Sequence, residues 1–545
     1  MKNLDKTPRK DHPPPKARQH MPFPTKKTAP PNEYIINIRA SKRKTSIYMY
    51  NLINCFFMNY KHISRRSRSF LRMWHGGVLG AAALLMASCA VDGYDDDERF
   101  VSDVSGATLT SPQASDITIT PSADGKNQTI TWPVVPGAMG YLVSFFDEGN
   151  MDEPLVRDSL VDGCSITVSR EEDMNYLLTI QTKGNAKAGN NDASEATQLK
   201  ISTFTPTFMT IPAGSDLNAW FAANPVPDDA LTANLNYDLE AGGSYTLSDV
   251  LDFDGHRVTL RSNSKTNRAL ITYTGDKSGI ATCAAMGIKY LNFDCQGMAA
   301  NKGVFAFSKA PTVENNATYG APVIWDPITI LNCNFDNVNG YFFWDNATKV
   351  AAKTVLVDNC VVHLTPQSAI SGGVFWTNKA GHINDLTVSN STFWESPDSP
   401  GDFKYFYQAG LTRAKDIGVA SNSVNYMNCT FYHVTWNDGQ WGNYNGMNGK
   451  PDSYWVLTDC IFFDCSNSGS VPRRFLHGKA NQPTATFRNN TYMNADGTFQ
   501  DPQNYDVSGT NIEEDPQFAN PAAGDFHISG PKQVALKTGD PRWLP

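Results

Sequence analysis

The chain has 545 residues, of which 41% are hydrophobic, 18% charged and 11% aromatic, the composition of a globular protein with an ample core. No apolar run reaches the roughly 18 residues of a membrane-spanning helix. Residues 1–88 carry 17 basic and 3 acidic residues, so the remainder holds 29 basic and 51 acidic ones. A body that acidic excludes nucleic acid as a partner, because neutralising phosphates needs clustered Lys and Arg.

In chain order, residues 1–57 are Pro-rich and basic, and they read as an upstream extension, with Met58 as the start. Lys61, Arg65, Arg66, Arg68 and Arg72 precede a short apolar run from Val78 to Ala87, followed by Ser88-Cys89. That order is a secretory signal over 58–88, too short to span a membrane. Met86-Ala87-Ser88-Cys89 resembles a bacterial lipobox, which implies lipidation of Cys89. Asp95, Asp96, Asp97 and Glu98 come next within the tether 89–110, and they resemble the surface-export signal of Bacteroidota lipoproteins. The resemblance implies an outer-membrane lipoprotein facing the cell exterior.

From 111 to 205 short alternating runs such as Thr129-Ile130-Thr131-Trp132 and Tyr176-Leu177-Leu178-Thr179-Ile180 are separated by turn residues. Strands at such spacing predict a small β-sandwich. Trp132, the Gly137 turn leading to Tyr141, and Tyr176 resemble a fibronectin type III domain, which implies a spacer rather than a site. Residues 206–235 read as a linker with a capping helix, Leu217, Trp220 and Phe221 forming its apolar side.

A repeat then runs through 236–530. Ile328-x-Ile330-x-Asn332-Cys333-x-Phe335 recurs at Val355…Val362, Leu386…Phe393, Val424…Phe431, Trp455…Phe462 and Ala485…Tyr492, with a degenerate copy at Ile288…Phe293. The bend positions 332, 359, 390, 428, 459 and 489 lie 27 to 38 residues apart. Two inward residues at period two make one strand, a break at Asn turns the chain, and two more make the next strand. Asn suits that break because it tolerates the left-handed backbone. The expected fold is all-β, a right-handed parallel β-helix that resembles those of pectin lyase-like proteins. A buried ladder of Asn amides is expected at the bends. Asp515-Pro516…Phe526 resembles a tail found on many secreted polysaccharide-active β-helices, and Gly539-Asp540-Pro541-Arg542-Trp543 in the tail 531–545 resembles that of Bacteroidota surface lipoproteins with a fibronectin type III module and an uncharacterised, carbohydrate-associated β-helix.

Cys333, Cys360, Cys429 and Cys460 occupy one inward position of the repeat. Coils about 4.8 Å apart leave a disulfide sterically open for pairs such as Cys333–Cys360. Buried thiols are the favoured reading, since a large core needs no staples. The ladder lacks any CxxC or HxxxH spacing, so no zinc site is read from it.

Two long inter-repeat segments carry the candidate site. One holds Lys404, Tyr405, Arg413 and Lys415; the other holds Trp436, Trp441 and Tyr444, interleaved with Asn, Asp and Gln. Aromatic faces beside amides and carboxylates are what sugar rings and hydroxyls require. Arg473, with Arg474, could read a carboxylate in bidentate fashion. The carbohydrate-binding candidates are therefore Trp436, Trp441, Tyr444, Tyr405 and Arg473. Lys404 and Arg413 are the candidate catalytic pair of a lyase-like enzyme, with calcium as its candidate cofactor. The Asp-Asp and Gly-His-Gly signatures of polygalacturonases and the Arg-x-Pro-x-x-Arg of pectate lyases are absent. Three classes stay open: a polysaccharide-binding surface protein, a lyase or glycoside hydrolase, and a non-catalytic adhesive protein.

Overall fold

The computed structural model describes residues 103–545, apart from 124, 310, 312–321, 378–379, 410–418, 420, 445–446, 448–452, 477–482 and 503–504. Its first part is a sandwich of two antiparallel sheets. Thr118–Pro121, Asn127–Thr131 and Ser165–Ser169 form one; Val156–Val161, Ala138–Asp147, Asn175–Gly184 and Thr197–Ser202 form the other. Alternate residues of both sheets meet in one core around Ile130, Val143, Phe145, Leu178 and Ile180. Trp132 packs edge-on against Tyr141 at 5.4 Å. The expected tether ends early: Leu109 is buried and its amide donates to Asn191 at 3.2 Å, so 103–110 belong to the sandwich.

The second part is the parallel β-helix expected from the repeat, with three parallel sheets of 11, 9 and 7 strands. The register stacks Ile328, Val355, Leu386 and Val424 in one row of the first sheet and Phe335, Val362, Phe393, Phe431, Phe462 and Tyr492 in one row of the second. Like rings stack face to face inside, as with Phe293 on Phe335 at 4.7 Å and Phe431 on Phe462 at 4.9 Å. The linker boundary shifts. Met209–Ile211 already joins the first sheet, and Asn234–Leu239 is its next strand. Between them the helix Leu217–Ala223, capped by Asp216, sets Phe221 against Tyr237 and Phe253 and closes that end of the core.

The bend residues take the left-handed backbone the repeat predicts. Asn332, Asn359, Asn390, Asn428, Asp459 and Asn489 have φ between 48° and 57°. Each of the first five donates its backbone N–H to a carbonyl of the next coil, so the ladder of hydrogen bonds continues through the bend. The amide ladder itself is corrected. These Asn side chains are half-buried and point out of the core, and only Asn359 donates to a neighbouring bend amide, that of Asn332. Asn390 instead donates to Asp358 at 2.8 Å and Asn428 to the Lys537 carbonyl at 3.4 Å.

The coils end at Met493, well before residue 530. Beyond them, residues 515–545 fold back as a strap. Phe526, between the hairpin strand Phe518–Asn520 and the Pro531–Leu536 helix, covers Trp394 and Tyr432 on the outer face of the second sheet. Asp540, almost fully buried, accepts from Thr392 at 2.8 Å, and Arg542 reaches Asn359 at 2.5 Å.

Cys333, Cys360, Cys429 and Cys460 are fully buried in one inward row, and no described cysteine is disulfide-bonded. Ser391 and Asn490 take the same position in other coils, each accepting a cysteine amide N–H at 3.0 Å.

Candidate functional site

The two long segments are not loops laid on the helix; each contributes a strand of the third sheet. Phe403–Ala409 pairs with Gln440–Asn443, continuing the row Gly303–Phe307, Tyr341–Trp344 and Ile370–Thr377. That overturns two candidates. Trp441 and Tyr444 are fully buried, Trp441 stacked on Phe406 at 4.4 Å and Tyr444 packed against Trp455 and Tyr407. Neither offers a face to a sugar. A residue facing inward on a strand fills the core whatever chemistry its ring could do outside.

The other candidates stay at or near the surface. Tyr405 is half-buried and pairs in register with Gln440. Lys404 donates to the Asp438 carbonyl at 2.6 Å and to its carboxylate at 3.1 Å, an ion pair that holds the exposed Asp438 carboxyl below its ordinary value. Arg473 is exposed on the short helix Val471–Phe475, while Arg474 turns inward to the Ser468 carbonyl at 2.6 Å. Arg413 and Cys89 lie outside the described residues.

Trp436 is half-buried at the corner between the second and third sheets, in a segment of unusual backbone. His433, Thr435 and Asp438 all have positive φ, at 56°, 60° and 54°. For a β-branched Thr that conformation is costly and needs surrounding structure to hold it. Asp402 supplies that hold from the preceding coil. Its carboxylate accepts from the amides of Thr435 at 2.9 Å and Asn437 at 2.7 Å, the two neighbours of Trp436, and from Phe403 at 2.7 Å. Glu395, also on that coil and fully buried, accepts the Trp436 indole N–H at 3.4 Å. The indole stacks on His433 at 4.5 Å, whose Nδ1 faces Asp464 on the following coil at 2.7 Å. His433 Nε2 meets no hydrogen-bond partner among the described residues.

Burial pushes the Asp402 carboxyl up to about 7 against the pull of its three N–H donors, with Asp464 adding repulsion. Glu395 is raised well above its ordinary value by burial and then by the charge of Asp402. The sequence pattern did not single out Glu395, His433 and Asp464. A signal was present: Glu395 is the last residue of the second strand of its repeat, and His433 and Asp464 directly follow theirs, at Trp394-Glu395, Tyr432-His433 and Phe463-Asp464.

A concavity of about 250 Å³ lies elsewhere, on the first sheet, lined by Arg257, Thr259, Gly287, Asp326 and Thr329. Arg257 pairs with Asp326 there, and none of the candidate residues reaches it. Among the described residues no three His, Cys, Asp or Glu side chains converge as a metal site.

The chain matches three families in succession, each described as a domain of unknown function: DUF4992 at residues 64–242, DUF4957 at 243–396 and DUF5123 at 424–543. Glu395 falls in the second, and His433, Trp436 and Asp464 in the third. No curated protein matches the chain. Among solved structures, pectate lyase PelI from Erwinia chrysanthemi in complex with tetragalacturonic acid is 12% identical over 65% of this chain and 88% of that one, with a TM-score of 0.12. Another structure of PelI gives 10% identity over 70% and 95%, with a TM-score of 0.13. At these TM-scores the fold rests on the strand pairing alone.

Proposed function

We propose that the protein binds a polysaccharide on the outer side of this corner, with Trp436 as the stacking face. The observation that carries the reading is the half-buried Trp436 indole, held by Asp402 and Glu395 in a segment that continues to Asp438 and Gln440 and their partners Lys404 and Tyr405. A sugar ring stacks its C–H face on the indole while the polar neighbours meet its hydroxyls. Arg473 extends the surface toward a carboxylate-bearing, pectic chain. In this reading the sandwich is a fibronectin type III-like module, and Cys89 anchors the chain by a lipid to the outer membrane.

Affinity electrophoresis in polygalacturonate, xylan and arabinogalactan gels tests the reading. Trp436→Ala is expected to weaken retardation several-fold, since a ring contact contributes about 0.5–1.5 kcal/mol, and to leave the fold intact. Trp436→Ala migrating as wild type in a gel that retards wild type removes Trp436 from the site. Unsaturated uronate products, read by ultraviolet absorbance with and without EDTA, would instead support the lyase reading.

A further inference from the structure

We propose that Glu395 and Asp402 form a proton-operated latch under Trp436, so that the corner is seated while the pair holds a proton and loosens when both carboxyls are ionised. The inference rests on the polysaccharide reading for its consequence, but the latch itself stands on the corner's geometry. Asp402 holds the amides on both sides of Trp436, and Glu395 accepts its indole N–H. Both carboxyls are buried against the same strained segment, Glu395 at 0% and Asp402 at 4% exposure.

Among the described residues, the groups facing the pair offer no cation fixed against it. Asp464 and His433 come from the following coils and face each other, and the buried Cys465 thiol lies near all three carboxyls. Lys404, beside Asp402 in the chain, is engaged by Asp438 on the outer side. Two buried like charges cannot both ionise without separating or admitting water. The element free to yield is the one under strain: His433, Thr435 and Asp438 can relax from positive φ once Asp402 and Glu395 move apart. Burial raises both carboxyls, Asp402 to about 7. The charge of Asp402 raises Glu395 further, so Asp402 ionises first and the pair keeps its last proton on Glu395; that proton is held in acid and lost only as pH rises past the Asp402 step, so the latch opens on the alkaline side of neutrality.

The test uses the mature chain and two readouts between pH 5 and 9. One is the Trp436 emission, taken as wild type minus Trp436→Phe; the other is retardation in a polygalacturonate gel. Wild type is expected to show an emission transition on the alkaline side of pH 7 and to lose retardation several-fold between pH 6.5 and 9. Glu395→Gln keeps an oxygen for the indole but no charge to repel Asp402, so it is expected to lose the emission change and hold retardation level. Asp464→Asn, which leaves the pair itself untouched, is expected to move the midpoint down.

A flat wild-type emission overturns the latch. An unchanged transition in Glu395→Gln assigns the titration to His433 and also overturns it, as does an unshifted midpoint in Asp464→Asn should Glu395→Gln not fold. Emission that titrates as expected, with no retardation in any gel at any pH, sustains the latch and sinks the binding reading instead.

Discussion

Asn359 and Asn390 show how one residue type meets a backbone demand. Their φ values of 53° and 48° lie where a branched aliphatic side chain clashes with its own carbonyl. Each side chain also bonds across coils, Asn359 to Asn332 and Asn390 to Asp358. Asn359→Leu and Asn390→Leu are expected to lower stability by about 1–3 kcal/mol each, and Asn359→Gly by less. Thermal melting checks this; an unchanged melting temperature in both Leu variants removes the bend argument. Trp436 and Trp441, five residues apart, give a second contrast. Trp441→Ala empties a core site between Phe406 and Phe431 and is expected to cost about 3–5 kcal/mol, whereas Trp436→Ala, which opens no core site but takes the indole donor from Glu395, is expected to cost about 1–3 kcal/mol.

At the scale of an element, the strap 515–545 ties the outside of the coils together without a sheet of its own beyond one short hairpin. Its anchor is Asp540, which accepts from Thr392 and Arg542 and offers its amide to Thr430 at 3.0 Å. Burial raises the Asp540 carboxyl to about 6, against the pull of Arg542. The folded value lies above the ordinary 3.8, so the stability it contributes is present in full below pH 4 and is lost as pH rises through 6. The difference amounts to about 3 kcal/mol. Denaturant melts of wild type and Asp540→Asn from pH 4 to 7 should therefore converge or cross as the pH rises, the wild type losing its share. Parallel curves would show that Asp540 does not titrate in this range.

At the scale of the whole molecule, the junction between sandwich and coils is a buried ionic cluster, not the slack link of a spacer. Arg261, fully buried, donates to Asp238 at 2.7 Å and to the Thr205 carbonyl at 2.6 Å, and lies 3.8 Å from Asp173 of the sandwich. Asp173 also receives Lys289 at 3.0 Å and the Tyr290 hydroxyl at 2.9 Å. Removing Arg261 leaves the buried Asp238 carboxylate without a cation, while Asp173 keeps Lys289 and Tyr290. Arg261→Ala is expected to cost about 3–5 kcal/mol and to split one calorimetric transition into two, sandwich and coils separately. A single transition at the wild-type temperature would make the cluster incidental. The proposed anchor is tested on the intact cell: palmitate labelling should vanish in Cys89→Ala.

The β-helix was legible because its repeat is local. Two inward residues, a left-handed Asn and two more inward residues dictate strand, bend and strand wherever they recur, from Ile328 to Tyr492. The third strand of each coil escaped that pattern, because the segments between repeats vary in length and its aromatic runs, such as Tyr341-Phe342-Phe343-Trp344, have no bend residue to fix their phase. With that strand unseen, Trp441 and Tyr444 read as loop aromatics, although Trp441 points inward from the strand Gln440–Asn443 and Tyr444, just past its end, packs into the core against Trp455 and Tyr407. The corner around Trp436 was legible only in part. Composition marks an aromatic, polar stretch, but Glu395, Asp402, His433 and Asp464 lie up to 69 residues apart on three coils. Stacking alone brings them together, and stacking alone buries them, which is what sets their charges against one another.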